Sequence, residues 1–166
     1  QFSKRYIAGV SLKDAVAVTK ALNQKKMMTT LDLLGEDIHR EIEADAMKSK
    51  CIEMFREIQK TSLDSNVSVK LSQLGLRISM DVCYRNVKAI VEEALALNNF
   101  VRIDMEDSTA TDETIEIYRR LRDAGYNNVG FVIQAYLKRS DTDVRALIKL
   151  EANFRICKGI YIESPD

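Results

Sequence analysis

Hydrophobic positions along the chain recur with two periods that take turns. Residues 1–10, containing Arg5-Tyr6-Ile7-Ala8-Gly9, show neither and read as an irregular lead-in. Leu12, Ala15, Val16, Val18 and Leu22 then fall at helical intervals. Ser11 with Asp14 three positions on is a capping-box pattern, so a helix runs from here to about Asn23. Residues 27–33 read as a strand closed by Gly35-Glu36-Asp37. Over 39–60 the stripe Ile42, Ala46, Cys51, Met54, Phe55 and Ile58 predicts the longest helix. Turn residues at 62–66 lead into Val67-Ser68-Val69-Lys70-Leu71, whose alternation is that of a strand. Ser79-Met80-Asp81 opens the next helix, with Val87, Ile90, Val91, Ala94 and Leu95 inward.

Residues 99–105 alternate again, Val101, Ile103 and Met105 against Arg102 and Asp104. This strand delivers three carboxylates at its end, Asp104, Glu106 and Asp107; Asp107 and Ser108 are suited to capping the next helix, whereas Asp104 lies within the strand pattern. A helix over 111–124 buries Ile117, Tyr118 and Leu121 and stops at Gly125. The nearly continuous apolar run 129–135 is a strand reaching Gln134. Ser140 and Asp143 form a second capping-box pattern, opening a helix to about Leu150, and 153–159 is the last strand.

Strands and helices that alternate in this way form right-handed βαβ units around a parallel sheet. The expected fold is therefore α/β, in one domain, since no Gly/Ser-rich linker or low-complexity block interrupts the chain. Neither GxGxxG nor GxxxxGK[ST] occurs, so the dinucleotide and P-loop fingerprints are missing.

Composition narrows the chemistry. With 25 basic and 25 acidic residues the formal net charge is zero, which argues against a nucleic-acid footprint but leaves a small anionic or zwitterionic substrate open. Three scattered cysteines, Cys51, Cys83 and Cys157, suit a reducing compartment rather than a disulfide framework. A single histidine, His39, disfavours histidine-based metal sites and a Ser-His triad. No apolar run approaches the roughly 18 residues of a membrane span, and the N-terminus lacks a signal-peptide pattern; the expected location is the cytoplasm, either free or peripheral to the membrane.

Each expected strand ends in charge or amide: Asp32, Lys70, Asp104, Gln134, and Arg155 with Lys158. In a parallel sheet these ends share one edge, and convergence of such groups on one rim is the layout of an α/β-barrel active site. Lys70 and Asp104 share a parity with Ser68 and Arg102, which points both into the barrel. An inward Lys opposite an inward Asp must pair or bind something. Such a pair can hold a zwitterion, Lys for a carboxylate and Asp near an amine or a cofactor edge. The same rim also allows a Schiff-base lyase with Lys70 or Lys158 as nucleophile. A non-catalytic chain stable only as an oligomer is a third reading.

Five segments bear a resemblance to the proline dehydrogenase family. They are Arg5-Tyr6-Ile7-Ala8-Gly9, Thr30-Leu31-Asp32-Leu33-Leu34-Gly35-Glu36, Val67-Ser68-Val69-Lys70-Leu71-Ser72, Val101-Arg102-Ile103-Asp104-Met105-Glu106-Asp107, and Gln134-Ala135-Tyr136 with Arg155-Ile156-Cys157-Lys158-Gly159-Ile160-Tyr161. Their order and spacing across almost the whole chain carry the resemblance. It implies a distorted (β/α)8 barrel of TIM-barrel type with FAD at the C-terminal ends of the strands. The implied activity is oxidation of L-proline to Δ1-pyrroline-5-carboxylate, with electrons passing to a membrane quinone. Carried onto this sequence, the resemblance places Lys70 at the proline carboxylate and Asp104 beside substrate and flavin. Met105 and Gln134 would line the flavin, Arg155 would lie near its N5, Lys158 and Gly159 would contact the cofactor, and Tyr161 would close over the substrate. Ile160 stands where the family usually has Ala, and Leu33 where it often has His.

A complete barrel of this type takes about 250 residues, so the five strands expected here form the N-terminal part of one. Later segments of the family, a Thr-His region at FAD and paired arginines at the proline carboxylate, have no counterpart in this sequence. A partial barrel with strands 27–33 and 153–159 at its edges and an apolar inner face is expected to self-associate, most simply as a symmetric dimer. By the same reasoning it is expected to bind FAD weakly and to be inactive alone.

Overall fold

The computed structural model describes residues 7–35, 37–159 and 161. Of the segments singled out in the sequence, Arg5, Tyr6, Glu36 and Ile160 lie outside the described residues. Five parallel strands, β1 (Thr29–Asp32), β2 (Ser65–Val69), β3 (Val101–Ile103), β4 (Val129–Gln134) and β5 (Phe154–Cys157), pair in chain order. Helix α1 (Leu12–Asn23) precedes them, and α2 (Glu41–Lys60), α3 (Met80–Ala96), α4 (Thr111–Asp123) and α5 (Ser140–Lys149) make the four crossovers. A sheet wound in one direction by right-handed crossovers carries all its helices on one face. The result is the curled half of an α/β barrel, as expected.

Between sheet and helices lies one core. Val67, Val69, Val101, Ile103, Val129, Phe131 and Ile133 meet Phe55, Ile58, Val87, Ile90, Ile117, Tyr118, Leu121 and Leu147. Tyr118 and Phe131 have ring centroids 4.8 Å apart. All six residues of β4 are buried, which is why that strand reads as a continuous apolar run. The opposite face is mostly polar: Asn66, Ser68, Arg102 and Arg155 share the parity that faces away from the helices. The apolar inner face expected for self-association is therefore corrected; the alternation reserves the large hydrophobics for the helix side.

The sequence placed several boundaries and stripes differently. Strand β2 ends at Val69, and Leu71–Leu74 forms a 3₁₀ turn, so Lys70 stands one residue past the strand. Asp104 likewise follows β3 rather than belonging to it, although its N–H donates to the Val69 carbonyl at 2.9 Å and keeps it in register. In α2, Ile42 is 73% exposed and Ala46 is exposed; the buried stripe runs Ala44, Cys51, Met54, Phe55 and Ile58, a spacing that Ile42 and Ala46 do not share. Val18 and Leu95 also face outward. The capping box of α1 is present, Ser11 Oγ accepting from Asp14 N–H at 3.2 Å and the Asp14 carboxylate accepting from Ser11 N–H at 3.1 Å. The second one is not. Ser140 is the first residue of α5 and donates its hydroxyl proton to the Gln134 carbonyl, while Asp143 pairs with Arg139 at 2.8 Å. A nearby strand-end carbonyl and a cation outcompete the local cap.

Asparagines staple the N-terminal ends of the strands. Asn99 Nδ2 donates to Ser65 O at 3.0 Å, Asn128 Nδ2 to Asn99 O at 3.3 Å, and Asn23 Nδ2 to Asp64 O at 3.1 Å. That edge is committed to backbone satisfaction, and the charged groups collect at the other.

Candidate active site

The C-terminal ends of β2 to β5 surround a cavity of about 310 Å³ lined by Lys70, Asp104, Met105, Val132, Gln134, Arg155, Cys157, Gly159 and Tyr161. Seven of the eight residues singled out in the sequence thus meet in one place. The eighth, Lys158, is exposed and does not line the cavity; its carbonyl accepts the Tyr136 N–H at 3.0 Å. Val132 and Cys157 were not foreseen, yet each shares the strand parity of a foreseen neighbour, Gln134 and Arg155 respectively.

Charges alternate in sign along the rim. Lys70 Nζ lies 2.5 Å from Asp32, the last residue of β1, and 3.8 Å from Asp104. Arg155 reaches Asp104 from β5 at 3.3 Å. Lys70 thus pairs chiefly with Asp32, a contact that parity alone does not reveal. Burial raises the Asp104 carboxyl above its ordinary range, and Asp32 adds to the rise; Lys70, Arg155 and the Ser68 hydroxyl oppose it. Below the rim Arg102 is half-buried, and burial with the nearby Arg155 lowers its guanidinium from the ordinary value.

Two loops are tied together behind these groups. The buried Glu106 accepts from Ser72 N–H at 2.9 Å and from Ser72 Oγ at 2.5 Å, joining the segment after Lys70 to the one after Asp104. Gln134 Nε2 donates to the carbonyls of Met105 at 2.7 Å and Glu106 at 3.0 Å. Its Oε1 is buried without a hydrogen-bond partner among the described residues. Gly159, at φ +95°, sits against that oxygen: a Cβ there would lie 2.7 Å from Gln134 Oε1, so only glycine leaves the approach open. Tyr161 flanks the cavity, and burial followed by the carboxylates of Glu106, Asp107 and Asp104 raises its phenol above the ordinary value.

Parallel strands in sequential order, helices on one face and convergent charge at the C-terminal rim define a protein of the α/β-barrel class with its site at the strand ends. Residues 15–164 match the family model described as proline dehydrogenase, and the chain belongs to that family. It is 35% identical to proline dehydrogenase 1 of Bacillus subtilis subsp. natto, over 98% of this chain and 53% of that protein. It is 33% identical to a proline dehydrogenase of Deinococcus radiodurans, over 97% of this chain and 53% of that one. Among solved structures, proline utilization A from Bdellovibrio bacteriovorus, inactivated by N-propargylglycine, superposes with a TM-score of 0.81 at 27% identity, over 92% of this chain and 20% of that one. The chain spans about half the length of the curated relatives it matches.

Proposed function

We propose that this chain forms part of an FAD-dependent proline dehydrogenase that oxidises L-proline to Δ1-pyrroline-5-carboxylate. The observation that carries the reading is the rim itself: Lys70, Asp104 and Arg155 face one cavity, offering cation and carboxylate within 3.8 Å of each other. Proline presents a carboxylate and a ring amine. Lys70 binds the carboxylate and Asp104 faces the ring amine; oxidation takes a hydride from C5, for which bound FAD would be the acceptor, and releases the amine proton to solvent, leaving the C5–N imine. Tyr161 closes the substrate side of the cavity and limits water.

The residues present fit the flavin. The unpartnered Gln134 Oε1 is an acceptor suited to a ring N–H, and the bare Gly159 backbone leaves room beside it. Met105, Gln134, Gly159 and Arg155 would hold the group, with Lys158 at its outer edge. FAD supplies the two-electron acceptor chemistry when bound. Arg155 would place a positive charge beside the bound group. A membrane quinone is the electron acceptor this reading implies, and the cytoplasm its location; separately, no helix among the described residues is long and apolar enough to cross a membrane.

The Schiff-base alternative is disfavoured at Lys70 and Lys158. An activated lysine needs a cationic or apolar neighbour, whereas Lys70 lies between two carboxylates and Lys158 lies outside the cavity lining.

The test is kinetic. Lys70→Ala and Arg155→Ala in the full-length flavin-loaded enzyme should each lower kcat/KM for proline by at least about tenfold, or about 1.4 kcal/mol of transition-state stabilisation. Wild-type turnover in both variants would refute the assignment.

A further inference from the structure

The carboxylate nearest Lys70 is not the one that lines the cavity. Asp32 lies 2.5 Å from Lys70 Nζ, and Asp104 lies 3.8 Å away. Lys70 and Asp104 border the cavity, whereas Asp32 stands behind Lys70 at the end of β1. Lys70 is its one ion-pair partner among the described residues. Asp104 has a second cation, Arg155, at 3.3 Å from the other side.

We propose that Asp32 is a positioning residue: by drawing the Lys70 ammonium toward β1 it keeps Lys70 from closing onto Asp104, so that the cavity offers a zwitterionic amino acid a cation and a carboxylate that are not hydrogen-bonded to each other. This rests on the amino-acid reading of the cavity given above.

An ammonium has three N–H donors on a flexible stem. At 3.8 Å Asp104 is outside hydrogen-bond range, but a small swing of the stem would bring it within range. Asp32 supplies the competing pull. Without its charge the nearest carboxylate to Lys70 is Asp104, which would then be held by Lys70 as well as by Arg155, already 3.3 Å from it. Each group would satisfy the other, and a substrate would have to break that pair before binding. The charged and polar groups facing Asp104 are Lys70 from the β2 end, Asp32 from β1, Arg155 from β5, Tyr161 from beyond β5, and Ser68 and Arg102 from within the sheet. Of these, Asp32 alone raises the Asp104 carboxyl; burial, the largest cause, stays when Asp32 is neutralised. Its removal therefore carries a signature that a packing role would not produce.

The experiment compares Asp32→Asn and Asp32→Glu with the wild type in the full-length flavin-loaded enzyme. In a crystal structure of Asp32→Asn, Lys70 Nζ should move to within about 3.2 Å of Asp104, and a carboxyl NMR titration should move Asp104 to lower pH. KM for proline should rise about tenfold with kcat changed less than about threefold, the pattern of lost ground-state positioning. Asp32→Glu, which keeps the charge, should restore KM to within about threefold of wild type. If Lys70 remains 3.8 Å or more from Asp104 in Asp32→Asn, or KM stays at its wild-type value, the proposal is overturned. If Asp32→Asn does not fold, Asp32→Glu decides: near-wild-type KM supports the charge role, and a tenfold rise in KM overturns it. Failure of the wild type to bind proline would instead remove the amino-acid reading, while the Lys70 displacement would still decide what Asp32 does.

Discussion

The guanidinium of Arg102 lies over the ring of Phe100, 4.8 Å from its centroid, and from there crosses β4 to reach β5. Its Nη1 donates to Asn153 Oδ1 at 2.9 Å and to the Phe131 carbonyl at 3.2 Å. Arg102 and Asn153 are 51 positions apart. This strut ties β3 to the start of the strand that carries Arg155, beneath the cavity. Gly130 of β4 makes the crossing possible, because the arginine passes directly over it.

Gly130→Ala should therefore be costly. A Cβ at this position would lie 2.5 Å from the Asn153 carbonyl, 2.6 Å from Arg102 Nη1 and 2.8 Å from Phe100 Cζ. The side chains could shift, but the carbonyl belongs to paired backbone. We expect a loss of about 2–3 kcal/mol, read from the urea midpoint at unchanged m-value. A wild-type midpoint would show that the strut yields easily.

Ser72→Ala removes the hydroxyl that donates to buried Glu106. A hydrogen bond to a charged group contributes roughly 1.5–3 kcal/mol, so a loss of about 2 kcal/mol is expected in the same assay. The double variant with Glu106→Gln should lose less than the sum of the two single losses, because the residues share one interaction. Strict additivity would show that the two are not coupled.

Asp104 predicts a pH dependence. Its carboxyl is raised above 3.8, first by burial, so over the interval between 3.8 and the raised value the folded chain binds more protons than the unfolded one. Wild-type stability attributable to this group then falls as pH rises through that interval. Asp104→Asn should be more stable than wild type at neutral pH, and the advantage should vanish as pH drops below 3.8. Thermal unfolding across pH measures it; an advantage that persists at low pH would contradict it.

The cysteines should differ in reactivity. Burial pushes the Cys51 thiol up to about 12 and the Cys83 thiol up as well, which suppresses the nucleophilic thiolate. Cys157 is only part-buried and lines the cavity. Iodoacetamide near pH 8 should alkylate Cys157 at least about tenfold faster than the other two in the native protein. Peptide mass mapping reads the ratio, and equal labelling would mean that the core opens readily.

Local spacing along the chain was sufficient for the order of strands and helices, the parallel sheet, and the gathering of Lys70, Asp104, Gln134 and Arg155 at one rim. Periods of 2 and 3.6 are properties of neighbouring residues, and a parallel sheet brings every strand end to one edge. Glycine at 125 likewise marked the end of α4, at φ +92°. Ser62, Asn98 and Glu151, at φ +52°, +51° and +49°, end α2, α3 and α5 the same way with no glycine to announce it. What only the tertiary structure decided was which groups pair. Lys70 turns to Asp32, 38 positions away, rather than to Asp104; Ser140 abandons its cap for the Gln134 carbonyl; Arg102 reaches across Gly130 to Asn153. Parity assigns a side chain to a face of the sheet. Partner choice depends on stagger between strands and on distances of one or two ångströms, and those are set by how the whole sheet curls.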